Sequence, residues 1–323
     1  MKKKILVIHT GGTISMMEDP TGSVIPGSEN PLVAQTSQLE SMAELYVIEP
    51  FHLPSPHVTP REMMELKLII ENEYSSHGVE GVVITHGTDT LEETAYFLDL
   101  TVKAPIPIVV TGAMRSSNEI GADGLYNLMS SIRVASSEDA IDKGVLVVLN
   151  DEIHTAKNVT KTHTSNVSTF QSPQYGPIGI VTKRGVVFHH SPTYKECYNI
   201  NGISNKVSLI KAYAGLDSSL FHAIKELDYD GVVVEALGQG NLPPASVEGI
   251  KALIEKNIPV VLVSRCFNGI AQDIYGYEGG GKDLRDHGVI FSNGLNGQKA
   301  RLKLLIALSH TKDIEEIRDI FTH

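Results

Sequence analysis

Residues 82–100 read VVITHGTDTLEETAYFLDL. The stretch opens with four apolar or β-branched residues and continues through a polar, glycine-containing loop at 86–90. From Leu91 onward, apolar side chains recur at three- and four-residue spacing. Because a short β-branched run indicates a strand and the later spacing indicates a helix, the stretch predicts a strand, a loop and a helix in that order.

The same alternation runs through the first half of the chain. Further runs that predict strands lie at 5–8, 108–111 and 145–149, and further helical patterns lie at 60–74 and 122–135. Repeated strand–helix units favour a mostly parallel sheet flanked by helices. Two strand-like runs at 179–182 and 185–189, separated by Lys183-Arg184, predict a β-hairpin that closes this part of the chain.

A change of composition divides the chain. Residues 190–206 contain several asparagines, Pro192 and Gly202, with little apolar periodicity, which is typical of a linker. A second α/β pattern follows, with predicted strands at 207–211, 231–234, 260–263 and 289–291 and predicted helices at 218–227, 244–255, 298–309 and 314–321. We therefore expect an α/β fold of two domains: a larger N-terminal catalytic domain over 1–190, a linker over 191–206, and a smaller C-terminal α/β domain over 207–323.

Charge and composition narrow the class of ligand. A formal net charge of -11 without a basic stripe argues against nucleic acid, which is held largely by Lys and Arg contacts to phosphates, and favours a small molecule. The apolar run at 5–8 is too short for a signal peptide or a membrane span, so we expect a cytoplasmic protein with no membrane partner. Cys197 and Cys266 provide no disulfide framework, which suits a reducing compartment.

Three loops at predicted strand ends are rich in hydroxyls and glycines. They are TGGT at 10–13, THGTDT at 85–90 and TGAMR at 111–115. In open α/β sheets ligands bind beyond the carboxyl ends of the strands, where glycine lets the backbone approach a ligand and N–H groups can bind a developing oxyanion. Any one of these loops could equally cap the next helix. Together they indicate an acyl-transfer site.

These loops also carry a family resemblance. The TGGTI run at 10–14 and the THGTDTLEETA run at 85–95 resemble the two signatures of the bacterial asparaginase and glutaminase family, and GAMR at 112–115, ADG at 122–124, VTKT at 159–162 and GNL at 240–242 follow in the expected order. The resemblance extends from residue 5 to QKAR at 298–301. It implies a cytoplasmic, type I-like L-asparaginase, an amidohydrolase of asparagine catabolism. It also implies a homodimer or homotetramer, and the chemistry expected of such an enzyme needs no cofactor and no metal.

The resemblance implies roles for single residues. Thr13 matches the family's nucleophilic threonine, which would form an acyl-enzyme ester, and Thr88, Asp89 and Lys161 match its second catalytic cluster. A threonine hydroxyl is a poor nucleophile and needs a neighbouring base or relay, a role that Thr88 and Lys161 fit.

The substrate contacts follow in the same way. Asparagine carries an α-ammonium, for which Asp89 is the implied partner, and an α-carboxylate, which Ser55 would bind. The backbone N–H groups of Thr88 and Ala113 would form the oxyanion hole. The other substrate-binding residues that the resemblance implies are Gly12, Gly87 and Asn241.

The sequence departs from the family in the loop that follows the first signature. That loop usually bears a tyrosine that polarises the nucleophile, yet residues 14–30 contain no aromatic residue, and Val24 lies near the expected place. The activator of Thr13 is therefore unassigned, while the glycines and prolines at 20–27 predict a mobile lid. An acid that a neighbouring subunit often contributes is left open among Glu278, Asp283 and Asp286.

Other functions are less consistent with the sequence. Broader hydrolysis that includes glutamine stays open, because glutamine differs from asparagine by one methylene, which changes discrimination by only about 1–3 kcal/mol. A tRNA-dependent amidotransferase subunit would need an extra docking domain. The run from Gly276 to Lys282 matches part of a phosphate-binding loop, but Asp283 stands where a Ser or Thr must hold Mg²⁺. The histidines show no spacing that indicates a metal site.

Overall fold

The β-branched runs of the first half of the chain form one eight-stranded sheet in the computed structural model, which describes residues 2–26, 39–193, 195–292 and 294–322. The chain divides into two units, Met1–Cys197 and Tyr198–His323. The described strands of the first unit are β1 (Lys4–His9), β2 (Met16–Glu18), β3 (Val24–Pro26), β4 (Glu44–Ile48), β5 (Gly81–Thr85), β6 (Ile108–Thr111), β7 (Val145–Leu149), β8 (Glu152–Thr155), β9 (Thr160–Lys161), β10 (Phe170–Gln171), β11 (Gly179–Thr182) and β12 (Gly185–Phe188).

The strand order of the large sheet is β12-β11-β8-β7-β6-β5-β1-β4. The five strands from β4 to β7 in this order run parallel, and β8, β11 and β12 are joined antiparallel at the other edge. The structure thus confirms the mostly parallel sheet and the hairpin predicted from the sequence. Because β1, β5 and β6 are neighbours, the three polar loops that follow them leave the same edge of the sheet.

Three described α-helices belong to the first unit: α1 (Pro60–His77), α2 (Leu91–Thr101) and α3 (Gly124–Ala135). Helix α1 begins with a capping box between Thr59 and Glu62, which satisfies backbone N–H groups that the first turn leaves without partners. Helix α3 packs against β5, β6 and β7, and α2 packs against β6 and β7.

The sheet is buried on both faces. Val7, Val83 and Val109 belong to the apolar cluster that includes Leu128 and Ile132 of α3. Successive side chains of a strand point to opposite faces, and the alternate residues of β1 and β5 are also fully buried. Burial on both faces explains why these strands are continuous apolar runs.

The second unit has its own parallel sheet and its own core. Its described strands are β13 (Val207–Lys211), β14 (Gly231–Ala236), β15 (Val260–Ser264) and β16 (Ile290–Phe291), and its described α-helices are α4 (Ser219–Glu226), α5 (Val247–Ile254), α6 (Gly281–Asp286), α7 (Gly297–His310) and α8 (Ile314–Thr322). The four strands pair in chain order and all run parallel. This smaller α/β unit agrees with the predicted fold class. Over the described part of the chain, no helix combines the length and the apolar character needed to cross a membrane.

Candidate active site

The loops after β1 and β5 touch through two glycines. A Cβ added to Gly12 would lie 2.3 Å from Gly87 Cα and 2.4 Å from Gly87 N, and a Cβ added to Gly87 would lie 2.8 Å from Ser55 Oγ. Any side chain at either position would therefore force the loops apart. The absence of a Cβ brings the backbone beside Thr13, the backbone beside Thr88 and the side chain of Ser55 into one small region.

Ser55 is fixed against the loop that follows β5. It begins a short 3-10 helix, Ser55–His57, and is 4% exposed. Its hydroxyl accepts a hydrogen bond of 3.1 Å from the backbone N–H of Asp89, and its carbonyl accepts one of 2.7 Å from the Thr90 hydroxyl. Because the Ser55 oxygen already accepts from the protein, its own proton is available for an anionic ligand.

Lys161 joins this region from β9. Its Nζ donates to Thr88 Oγ1 at 2.9 Å and to Asp89 Oδ1 at 2.7 Å. The Lys161 side chain is 16% exposed and that of Asp89 is 61% exposed. Lys161 is therefore mostly buried, whereas Asp89 is open to solvent, where a ligand could reach it. The structure thus brings the predicted cluster of Thr88, Asp89 and Lys161 together across more than 70 residues of chain.

The loop after β6 also lies close to Thr88. A Cβ at Gly112 would lie 2.6 Å from the His86 carbonyl oxygen and 3.2 Å from Thr88 Cγ2. The next turn is held by Asp123, whose carboxylate accepts from the backbone N–H groups of Met114 and Arg115 at 3.0 to 3.2 Å. This arrangement fixes Ala113, which is 1% exposed.

Two backbone N–H groups in these loops have no partner among the described residues. Among the described residues, neither the backbone N–H of Thr88 nor that of Ala113 makes a hydrogen bond to the protein. Both residues are buried, and buried N–H groups normally have partners. Two free donors in adjoining loops are suited to binding a negatively charged oxygen.

Thr13 follows Gly12 and begins the short 3-10 helix Thr13–Ser15. It is half-buried, and its hydroxyl has no hydrogen-bond partner among the described residues. Gly12, with φ 83° and ψ 177°, sets the direction of the turn into Thr13. The one threonine hydroxyl that the resemblance assigns to attack is therefore unengaged, whereas that of Thr88 is bound by Lys161.

The predicted lid begins as a β-hairpin of β2 and β3. Its turn is closed by the Asp19 carboxylate, which accepts from the Thr21 hydroxyl and from the N–H of Ser23, and these contacts lower the pKa of Asp19. Val24 is paired with Glu18 in this hairpin and is 47% exposed. The remainder of the predicted lid, residues 27–30, lies outside the described residues.

Two buried, uncharged histidines lie where the loops leave β1 and β5. Burial lowers the pKa of His86 to about 4, opposed by its hydrogen bond to the Gly87 carbonyl. Its Nδ1 donates to that carbonyl at 2.8 Å, so its Nε2 accepts from the Thr94 hydroxyl at 2.9 Å. Burial also lowers the pKa of His9 to about 4, with Glu49 raising it and His52 lowering it further. His9 and His86 are therefore uncharged scaffold groups at neutral pH.

The second unit holds the remaining predicted residues. Asn241 lies after β14, and its Oδ1 accepts from the N–H of Gly281 at 3.2 Å. Asp283 accepts from the N–H of Gly279 at 2.8 Å, and Asp286 pairs with Lys282 at 2.6 Å. Glu278 is exposed. Asp283 therefore holds the loop that contains Gly279.

The cysteines and the possible metal ligands were the other candidates for chemistry. Cys197 and Cys266 are both free and exposed. Within the ranges that the structure describes, no group of three His, Cys, Asp or Glu side chains could hold a metal ion.

Sequence reasoning missed the residues that hold the site residues in place. Glu92 accepts from the Lys161 backbone, and Asn127 donates to the Gly112 carbonyl at 3.0 Å. Glu92 lies in the quoted signature at 85–95, but an acid in the first turn of a helix is also what the helix dipole favours. The sequence therefore contained Glu92 in a recognised motif but did not indicate that it contacts Lys161.

Family models cover both units. Residues 4–194 match the model described as "Asparaginase, N-terminal", and residues 206–321 match the "Glutaminase/Asparaginase C-terminal domain". The chain belongs to the asparaginase/glutaminase family. This membership confirms the resemblance drawn from the two threonine-rich signatures.

Curated relatives match along nearly the whole of this chain. The L-asparaginase of Bacillus licheniformis is 33% identical over 324 residues, covering 100% of both chains. A probable L-asparaginase of Deinococcus radiodurans is 38% identical, covering 99% of this chain and 97% of that protein. A glutamyl-tRNA(Gln) amidotransferase component from Methanobrevibacter smithii is 33% identical, covering 98% of this chain and 74% of that protein.

Proposed function

We propose that the chain is an L-asparaginase, which hydrolyses the side-chain amide of L-asparagine to L-aspartate and ammonia through a threonine acyl-enzyme. The observation that carries the proposal is the contact of Lys161 Nζ with both Thr88 Oγ1 and Asp89 Oδ1, beside the close approach of Gly87 to Gly12, the residue before Thr13. The full-length similarity to proteins named L-asparaginase supports the same substrate.

Asparagine is held by its two charged groups. Asp89 Oδ1 is occupied by Lys161, while its Oδ2 has no hydrogen-bond partner among the described residues and can bind the α-ammonium. The α-carboxylate accepts a hydrogen bond from the Ser55 hydroxyl, whose oxygen is held by the N–H of Asp89. Gly12 and Gly87 contribute backbone at the same place. Asn241 is proposed as a further substrate-binding residue on the strength of the family motif alone.

In the proposed reaction, Thr13 Oγ1 attacks the amide carbon. The new C–O bond places negative charge on the carbonyl oxygen, which the free N–H groups of Thr88 and Ala113 stabilise. The C–N bond then breaks, and the amide nitrogen leaves as ammonia with the proton that Thr13 gave up. Water hydrolyses the ester, which releases aspartate and restores Thr13.

The proton of Thr13 can pass through Thr88 to the departing amide nitrogen, while Lys161 holds Thr88 in place. Lys161 donates to Thr88 Oγ1, so the Thr88 proton points away from Lys161 and can be exchanged with the reacting groups. The described part of the loop after Thr13 supplies no phenol, since residues 14–26 contain no aromatic side chain. We therefore assign the relay of Thr88 and Lys161 as the activator of Thr13.

An ammonia-release assay on the purified protein, with asparagine and glutamine side by side, tests this proposal. Asparagine is expected to release ammonia, and Lys161→Met is expected to abolish the release. Lys183→Met is the matched control, because Lys183 is exposed in the β11–β12 turn. If neither amide yields ammonia, the proposed function is wrong, and if Lys161→Met retains full activity, the proposed relay is wrong.

We also propose a cytoplasmic homodimer or homotetramer. The family membership favours an assembly, and most soluble oligomers are closed symmetric assemblies of one chain. Light scattering of the active protein should give two or four times the 35.1 kDa of the chain. A fully active species at the mass of one chain would contradict the assembly.

A further inference from the structure

We propose that Glu92 is the positioning residue that sets Lys161 against Thr88 and Asp89. The Lys161 ammonium must reach two oxygens at once, at 2.9 Å and 2.7 Å. The inference rests on the proposed function for its effect on catalysis, and on the contacts of Glu92 for its geometry.

The element that carries Lys161 is a short ribbon, extended by hydrogen bonds from Thr162 and His163 to Thr169. Strand β9 consists of Thr160 and Lys161, and it pairs only with the two residues of β10 among the described strands. This ribbon is separate from the eight-stranded sheet. Because isolated two-stranded ribbons are marginally stable, pairing within the ribbon is a weak means of holding a side chain to a fraction of an ångström.

Glu92 joins this ribbon to helix α2. Its Oε1 accepts from the Thr160 hydroxyl at 3.0 Å and from the Lys161 backbone N–H at 3.1 Å. Both residues of β9 are therefore bound to one carboxylate oxygen. Bonds to an ionised acceptor are about twice as strong as neutral ones, so this single side chain can fix the ribbon.

The position of Glu92 in the chain matters as much as its contacts. Glu92 lies in the first turn of α2, and the loop that bears Thr88 and Asp89 leads directly into that turn. The residue is 4% exposed, and the positive end of the helix dipole favours its negative charge. Lys161 and its two targets are thus held by the same turn of helix, although 72 or 73 residues separate them.

A positioning role predicts different results for different replacements. Glu92→Gln keeps an oxygen that can accept both donors, whereas Glu92→Ala removes it. Since a displacement of 1 Å can cost about 100-fold in rate, Glu92→Ala should lower kcat by about that factor. KM should change much less, because Ser55 and Asp89 stay in place, and Glu92→Gln should remain within about tenfold of wild type.

The experiment combines kinetics with a measurement that needs no activity. Amide hydrogen exchange at Lys161 should be about tenfold faster in Glu92→Ala than in wild type and nearly unchanged in Glu92→Gln. Glu65→Ala is the matched control, since Glu65 is exposed on α1 and makes no hydrogen bond or ion pair through its side chain among the described residues. It should leave both readouts unchanged.

The outcomes separate this inference from the proposed function. If wild type releases no ammonia, the proposed function fails, and exchange at Lys161 still tests the anchoring. If wild type is active and Glu92→Ala keeps its kcat, the positioning role is overturned. It is equally overturned if Gln and Ala lower kcat alike while exchange at Lys161 stays at the wild-type rate. Should Glu92→Ala fail to fold, Glu92→Asp decides, because it keeps the charge but is one methylene too short to hold β9.

Discussion

Replacing Gly12 by alanine is expected to separate the loops that carry Thr13 and Thr88. Gly12 has φ 83° and ψ 177°, a region that is nearly exclusive to glycine, so alanine there should cost about 1–3 kcal/mol of stability. The new Cβ would lie 2.3 Å from Gly87 Cα, whereas ordinary contact begins at 3.4 Å. The loops must therefore move apart by about 1 Å, a displacement that can lower the rate about 100-fold.

Steady-state ammonia release with asparagine measures this effect, and thermal unfolding measures the strain. Gly215→Ala is the matched control, because Gly215 has φ +85° but no described atom lies within 4 Å of an added Cβ. It should lose stability without losing kcat/KM. Wild-type kcat/KM in Gly12→Ala would refute the reasoning, since the close approach of the two loops would then be irrelevant to the reaction.

Two further predictions address charge. Asp89→Asn keeps the size of the side chain but removes the charge proposed to bind the α-ammonium, so kcat/KM for asparagine should fall steeply with little change in the unfolding midpoint; near wild-type kcat/KM would exclude that role. The second concerns pH. Burial holds the pKa of His86 at about 4 against 6.5 for a free histidine, so the unfolded chain takes up the proton first and stability falls as the pH drops from 6.5 to 4. The loss amounts to about 3 kcal/mol. His86→Asn cannot titrate, so urea unfolding across this range should show a smaller loss than wild type; equal losses would contradict the assignment.

The main elements of the fold could be predicted because their signals are local. Residues 82–100 contain a strand, a loop and a helix, and each can be recognised from a few consecutive residues. The structure has β5 and α2 at those places. Strand β4 and the β2–β3 hairpin were not predicted. Their residues are largely half-buried or exposed, so no continuous apolar run marks them.

The site could not be assembled from spacing alone. Lys161 meets Thr88 across 73 residues, and β9 is too short to show any periodicity. The family motif placed these residues together, while the physical reason for the contact became visible only with Glu92 and β10. The contact of Ser55 with Asp89 spans 34 residues and likewise depends on the close backbone at Gly87.

The central claim is that Thr13 carries the acyl group and Thr88 serves the relay. Removing either threonine would lower the rate severely, because members of a unit that acts together are not additive, so rates alone do not distinguish them. Mass spectrometry of peptides after rapid quenching with asparagine or a slow analogue does. We expect an acyl adduct on the peptide that contains Thr13, absent in Thr13→Ala. An adduct on the peptide that contains Thr88, with Thr13 unmodified, would contradict the account and exchange the roles of the two residues.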